Sequence, residues 1–202
     1  MNLHPPISHE NYPDAHHGTY SKTIFGFWLY LLTDFVMFAT FFATYAVLYN
    51  NTYGGPPAKE IFNLQFALFA TLALITASFT SGLGNVFAHR GSKRGVITFF
   101  IITFLLGILF IGLEYSELSR LVAEGNSWQK SAFLSAFYTL VGMHALHMFF
   151  ALLWVVVLLI PVIKEGVTEV SLKRLTCLRM FWQFLGIIWI FIFTIVYLMG
   201  AV

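Results

Sequence analysis

Asp34, Glu114, Glu117, His144, His147 and Gln183 are the side chains best equipped for chemistry in this chain. Each lies inside or at the end of a segment apolar enough to cross a membrane. His144 and His147 stand three residues apart, on one helix face, and resemble half of a metal site. Glu114 and Glu117 repeat that spacing and resemble another half. Asp34 suits either a proton-relay carboxylate or a neutral, hydrogen-bonded anchor. Arg120 follows Glu117 by three and can pair with it. Ionisable groups are costly in hydrocarbon, so such residues face a bundle interior, find partners or line a path.

The elements that must hold them follow from composition. Of 202 residues, 58% are apolar and only 10% charged, whereas a globular domain carries roughly 25% charged residues. Five spans of about 20 residues consume half or more of such a chain and leave no soluble domain. Apolar runs fall near 24–49, 64–88, 95–118, 133–163 and 177–201. Turn and charge signals separate them at Asn50–Pro57, His89–Gly95, Ser119–Lys130 and Lys164–Thr176. With no water to satisfy the backbone, runs of this length are helices. The fold class is therefore all-α, an integral membrane bundle of five transmembrane helices. Residues 1–22 form a polar tail and 23–202 a single membrane domain.

Composition also excludes functions. A net charge of +2 offers no clustered basic face for nucleic acid. The lone Cys177 rules out an intramolecular disulfide or a thiolate cluster. His4, His9, His16 and His17 read as part of a solvated tail, with weak metal binding as the alternative. That tail lacks the brief apolar core of a secretory signal, so the first span is expected to be retained. Eight of the eleven Lys and Arg residues fall in the tail, the second loop and the fourth loop, with Arg179 at the start of the last span counted in the fourth. This bias predicts a cytoplasmic N-terminus and an outward C-terminus. An odd number of spans disfavours the inverted repeat usual in secondary transporters.

Depth can be read from helical rise. Asp34 sits about 15 Å above the inner boundary, His144 and His147 about 14 and 9 Å, and Gln183 about 9 Å. The first, fourth and fifth spans thus predict an inner polar cluster of Asp34, His144, His147 and Gln183. Glu114, Glu117 and Arg120 form a second, outer group about two helical turns away, too far to share one metal site. Ala73, Ala77 and Ser81, with Gly84 beyond, mark a close-packing face on the second span. The Phe-rich first and third spans read as lipid or partner surface.

Several stretches together resemble one family. They are Ile24-Phe25-Gly26-Phe27-Trp28-Leu29-Tyr30-Leu31-Leu32-Thr33-Asp34, Phe42-Ala43-Thr44-Tyr45-Ala46-Val47-Leu48 before Gly54-Gly55-Pro56, and Ile111-Gly112-Leu113-Glu114-Tyr115-Ser116-Glu117. Phe133-Leu134-Ser135-Ala136-Phe137 with Gly142-Met143-His144-Ala145-Leu146-His147, and Val196-Tyr197-Leu198-Met199-Gly200, complete the set. In order and spacing the chain resembles subunit III of the haem–copper oxidases, in the five-helix form of cytochrome o-type ubiquinol oxidases. The family's last span reads Phe-Trp-His-Phe-(Leu/Val)-Asp, where this chain has Phe181-Trp182-Gln183-Phe184-Leu185-Gly186.

The resemblance implies a non-catalytic subunit in a bacterial inner membrane, supporting a haem–copper subunit I alongside subunits II and IV. It implies haems and copper in subunit I, no metal or cofactor on this chain, and structural phospholipid in a V-shaped cleft. The assembled complex would oxidise ubiquinol, reduce oxygen to water and move protons. Three alternatives stand beside it. They are a self-contained metalloenzyme using Glu114, Glu117, His144 and His147, a proton-coupled transporter centred on Asp34, and a cytochrome c oxidase subunit III.

Overall fold

A computed structural model describes residues 14–54 and 56–201, and these form helices with no strand among them. The helices are α1 (Asp14–Leu48), the single turn α2 (Ala58–Ile61), α3 (Leu64–His89), α4 (Lys93–Ala123), α5 (Ala132–Glu165), α6 (Glu169–Ile192) and the terminal α7 (Met199–Ala201). A π-helical stretch, Phe193–Leu198, continues α6. Five segments are long and apolar enough to cross a membrane: Lys22–Leu48, Leu64–His89, Lys93–Ala123, Ala132–Glu165 and Glu169–Leu198.

Side-chain caps set where most of these helices begin. Asn63, Ser92, Ser131 and Thr168 each accept a hydrogen bond from the backbone N–H three residues on. Each cap satisfies an end donor that the helix itself leaves unpaired. Two turns close with glycine at positive φ, Gly91 at 67° and Gly125 at 79°. The N–H groups of Ser92 and Asn126 then reach back to the carbonyls of Phe87 and Leu121, the hydrogen-bond pattern of a Schellman stop.

Two boundaries differ from the sequence expectation. The first helix begins at Asp14, inside the stretch read as a polar tail, while its apolar part starts at Lys22. His16 and His17 lie on that helix, and His4 and His9 lie outside the described residues. The last span begins at Glu169, not near 177, and only Gly166–Thr168 separate it from α5. Lys173, Arg174 and Arg179 lowered the local hydropathy, but the Thr168 cap had already started the helix beneath them.

α5 and α6 are central. α5 packs against α1, α4 and α6, and α6 packs against α1, α3 and α5. The most extensive contact joins α3 to α4, where Ala77, Ser81 and Gly84 are buried. A Cβ on Gly84 would lie 2.9 Å from the Phe100 ring, so the small residue lets that ring approach the α3 backbone. Gly107 on α4 plays the same part, since its Cβ would meet Leu152 at 2.7 Å and Trp182 at 2.9 Å. The phenylalanines divide. Phe25, Phe35 and Phe69 are exposed, whereas Phe38, Phe100 and Phe110 are fully buried among the helices.

Candidate functional site

The inner polar residues are positioned by α1, α5 and α6. On α1, Leu31, Asp34, Phe38 and Tyr45 recur at helical spacing and form its buried stripe. Asp34 Oδ2 is buried and accepts no hydrogen bond, and His147 Nε2 of α5 approaches it to 3.8 Å. His147 Nδ1 lies 2.8 Å from the Met143 carbonyl. A carbonyl only accepts, so Nδ1 carries a proton and Nε2 is the nitrogen turned to Asp34.

His144 has the opposite arrangement. Its Nε2 lies 3.1 Å from the Leu185 carbonyl of α6 and donates to it, while Nδ1 is buried without a partner. The ring is fully enclosed by Phe38, Phe110 and Trp189, with centroids 6.4, 5.8 and 5.2 Å away. Phe38 also lies 5.2 Å from the His147 ring, so one phenylalanine touches both imidazoles. Residues three apart differ by about 60° around a helix. That angle sends His147 to α1 and His144 to α6.

Gln183 does not join them. It sits two residues before Leu185 in the same layer, yet it is exposed on the outside of the bundle. The core face of α6 is set by Leu178, Trp182, Leu185 and Trp189, all fully buried. The residue after Trp182 is turned about 100° away from that face. The expected four-residue cluster is thus an Asp34–His147 pair, a separate His144–Leu185 bond and an outward amide.

In the outer group, Glu114 and Glu117 are both buried. Arg120 holds Glu117 through two bonds, Nη2 to Oε1 at 2.6 Å and Nε to Oε2 at 3.1 Å, the planar fork that arginine offers a carboxylate. The same guanidinium donates to the Ile61 carbonyl at 3.1 Å and to Glu124 at 2.7 Å. It therefore ties α4 to the short helix α2. Glu114 Oε2 is buried without a partner. No His, Cys, Asp or Glu trio among the described residues is arranged to hold a metal.

Sequence reasoning missed several links between helices. Thr80 and Thr103 bond across α3 and α4 at 2.8 Å, and Trp189 donates to Thr71 at 2.9 Å. Tyr138 donates to the Asn126 carbonyl at 3.0 Å, fastening α5 to the turn that follows α4. Threonine inside an apolar span was the available signal, because its hydroxyl must bond somewhere. A hollow of about 380 Å³ opens between the N-terminal parts of α1 and α6 and the C-terminal half of α5. Phe27, Tyr30 and Trp154 line it, with Lys173 and Arg174 at its rim.

Comparison with known proteins agrees with this architecture. A cytochrome bo(3) ubiquinol oxidase subunit 3 of Pseudomonas aeruginosa is 49% identical over 203 residues, covering 100% of this chain and 97% of the relative. The protein of that name from Pseudomonas putida is 43% identical, covering 92% of this chain and 89% of its own length. A cytochrome c oxidase subunit 3 of Bacillus sp. PS3 is 42% identical over 88% of this chain and 86% of its own length. The family model for cytochrome c oxidase subunit III matches residues 6–201. A match spanning all five membrane segments shows that the chain belongs to the cytochrome c oxidase subunit III family.

Proposed function

We propose that this chain is subunit III of a cytochrome o-type ubiquinol oxidase in a bacterial inner membrane. The observation that carries this is the whole-length match, 49% identical, to a protein named for that role. Identity and coverage are both lower for the relative named as a cytochrome c oxidase subunit. Within the complex, ubiquinol is oxidised and oxygen reduced to water on haems and copper held by subunit I, with proton pumping, and subunits II and IV complete the assembly. This chain contributes no redox centre of its own. His144 and His147 each commit one ring nitrogen to a backbone carbonyl, and Glu117 is held by Arg120. Their chemistry is to join helices in a medium that offers no competing water.

Two finer features complete the reading. The hollow among α1, α5 and α6 receives a structural phospholipid. Aromatic walls suit acyl chains and the Lys173–Arg174 rim suits a phosphate. The N-terminus is cytoplasmic and the C-terminus periplasmic, following the Lys and Arg bias. The test is capture of the tagged chain from its native membrane in mild detergent. A co-purifying haem-bearing chain with the visible spectrum of an oxidase is expected. Capture of this chain alone, or with metal bound stoichiometrically to it, would overturn the proposal.

A further inference from the structure

The outer surface of α6 poses a problem that the chain does not solve by itself. Gln183 lies near the middle of the 30-residue span Glu169–Leu198 and is exposed. No hydrogen bond reaches its side chain among the described residues, although a carboxamide offers two donors and an acceptor. Acyl chains cannot satisfy these groups. Four exposed threonines in the spans are handled internally. Thr40, Thr44, Thr76 and Thr194 each donate to a carbonyl of their own helix at 2.6–2.8 Å. Gln183 stands apart from that pattern.

Arg179 lies one turn earlier on the same face. Its Nε is buried without a partner, and no carboxylate among the described residues pairs with it. An arginine inside a span is costly unless an anion or a strong acceptor meets it. The two positions therefore place an unmatched, buried guanidinium nitrogen and an exposed carboxamide along about 6 Å of one helix edge. Beyond them the face continues with exposed Ile187 and Ile190.

Resting on the reading of this chain as an oxidase subunit, we propose that this edge seats a transmembrane helix of another subunit. That helix carries an Asp or Glu at the depth of Arg179 and Gln183. Its carboxylate accepts from both side chains, and its apolar residues cover Ile187 and Ile190. Charge complementarity selects the acid. Depth selects a protein over a lipid at Gln183, which by helical rise lies about 9 Å inside the inner boundary, beyond the reach of so short a side chain to a phosphate.

The experiment uses the assembled complex in its native membrane, captured through a tag on this chain while detergent is raised stepwise. Arg179→Leu and Gln183→Leu should each lower the haem-bearing chain retained by about tenfold, the scale of one lost charge-assisted bond. Arg179→Lys and Gln183→Asn should retain most of it. Circular dichroism of each variant reports that the helices remain formed. In parallel, a photo-activatable residue placed at position 183 should cross-link to a membrane helix of another subunit. Full retention in both Leu variants, or adducts with lipid alone, would overturn the inference. Failure of the unsubstituted chain to bring down a haem-bearing partner would instead overturn the subunit reading.

Discussion

Asp34 of α1 and His147 of α5 face each other at 3.8 Å, Oδ2 to Nε2. His147 Nδ1 is engaged by the Met143 carbonyl, so Nε2 is the ring nitrogen left to face the carboxyl group. Asp34→Leu should therefore destabilise the bundle, and Asp34→Asn, whose amide can donate to Nε2, should retain most of the interaction. A double-mutant cycle of Asp34→Leu with His147→Leu should give a coupling of about 1 kcal/mol. Thermal unfolding in detergent measures it, and a coupling near zero would show that the two residues do not interact.

His144 bonds the α6 backbone from a fully buried position. Truncation by His144→Ala leaves both a cavity and an unpaired Leu185 carbonyl, with an expected cost of about 3 kcal/mol. His144→Gln, which keeps a donor, should cost less than half of that. Equal losses in the two variants would show that volume alone matters at this position.

The Glu117–Arg120–Glu124 chain separates a buried pair from an exposed one. Glu117 is 5% exposed at its side chain and Glu124 is 47% exposed. Arg120→Met strands a buried carboxylate and releases the Ile61 carbonyl, and should cost about 3 kcal/mol or more. Glu124→Gln should cost well under about 1 kcal/mol. Proteolysis of the loop holding α2 offers a second readout, faster in the Arg120 variant alone.

Two glycines at helix contacts should respond differently to the same methyl. At Gly107 the new carbon meets Leu152 and the rigid Trp182 ring, so Gly107→Ala should cost about 1–3 kcal/mol. At Gly186 it meets only the Ser78 hydroxyl, at 2.9 Å, which can rotate away. Gly186→Ala should stay within about 1 kcal/mol of the unsubstituted chain. Unfolding temperatures compared under one detergent condition decide between these outcomes.

Membrane orientation has its own check. A cysteine introduced at the exposed Gln129, with Cys177 replaced by Ser, should react with a membrane-impermeant thiol reagent added to the periplasmic side. One introduced at His89 should react only after the membrane is opened. The reverse pattern would invert the proposed topology.

Amino-acid order alone determined the five spans, because hydropathy and helical length are local properties that a bilayer enforces. It also carried the spacing that pairs Glu117 with Arg120. Relative height along the helices was legible too, since each residue advances a fixed distance: Asp34 meets His147, and Gln183 lies two residues from the Leu185 that His144 bonds. Azimuth was not. Whether a side chain at a given depth turns inward depends on which neighbouring helix packs there, and helix packing is set by the whole bundle. Tertiary structure therefore decided that Phe38 contacts both histidine rings, that His144 and His147 serve different helices, and that Gln183 faces outward. A helix written as a line of residues has no inside until other helices surround it.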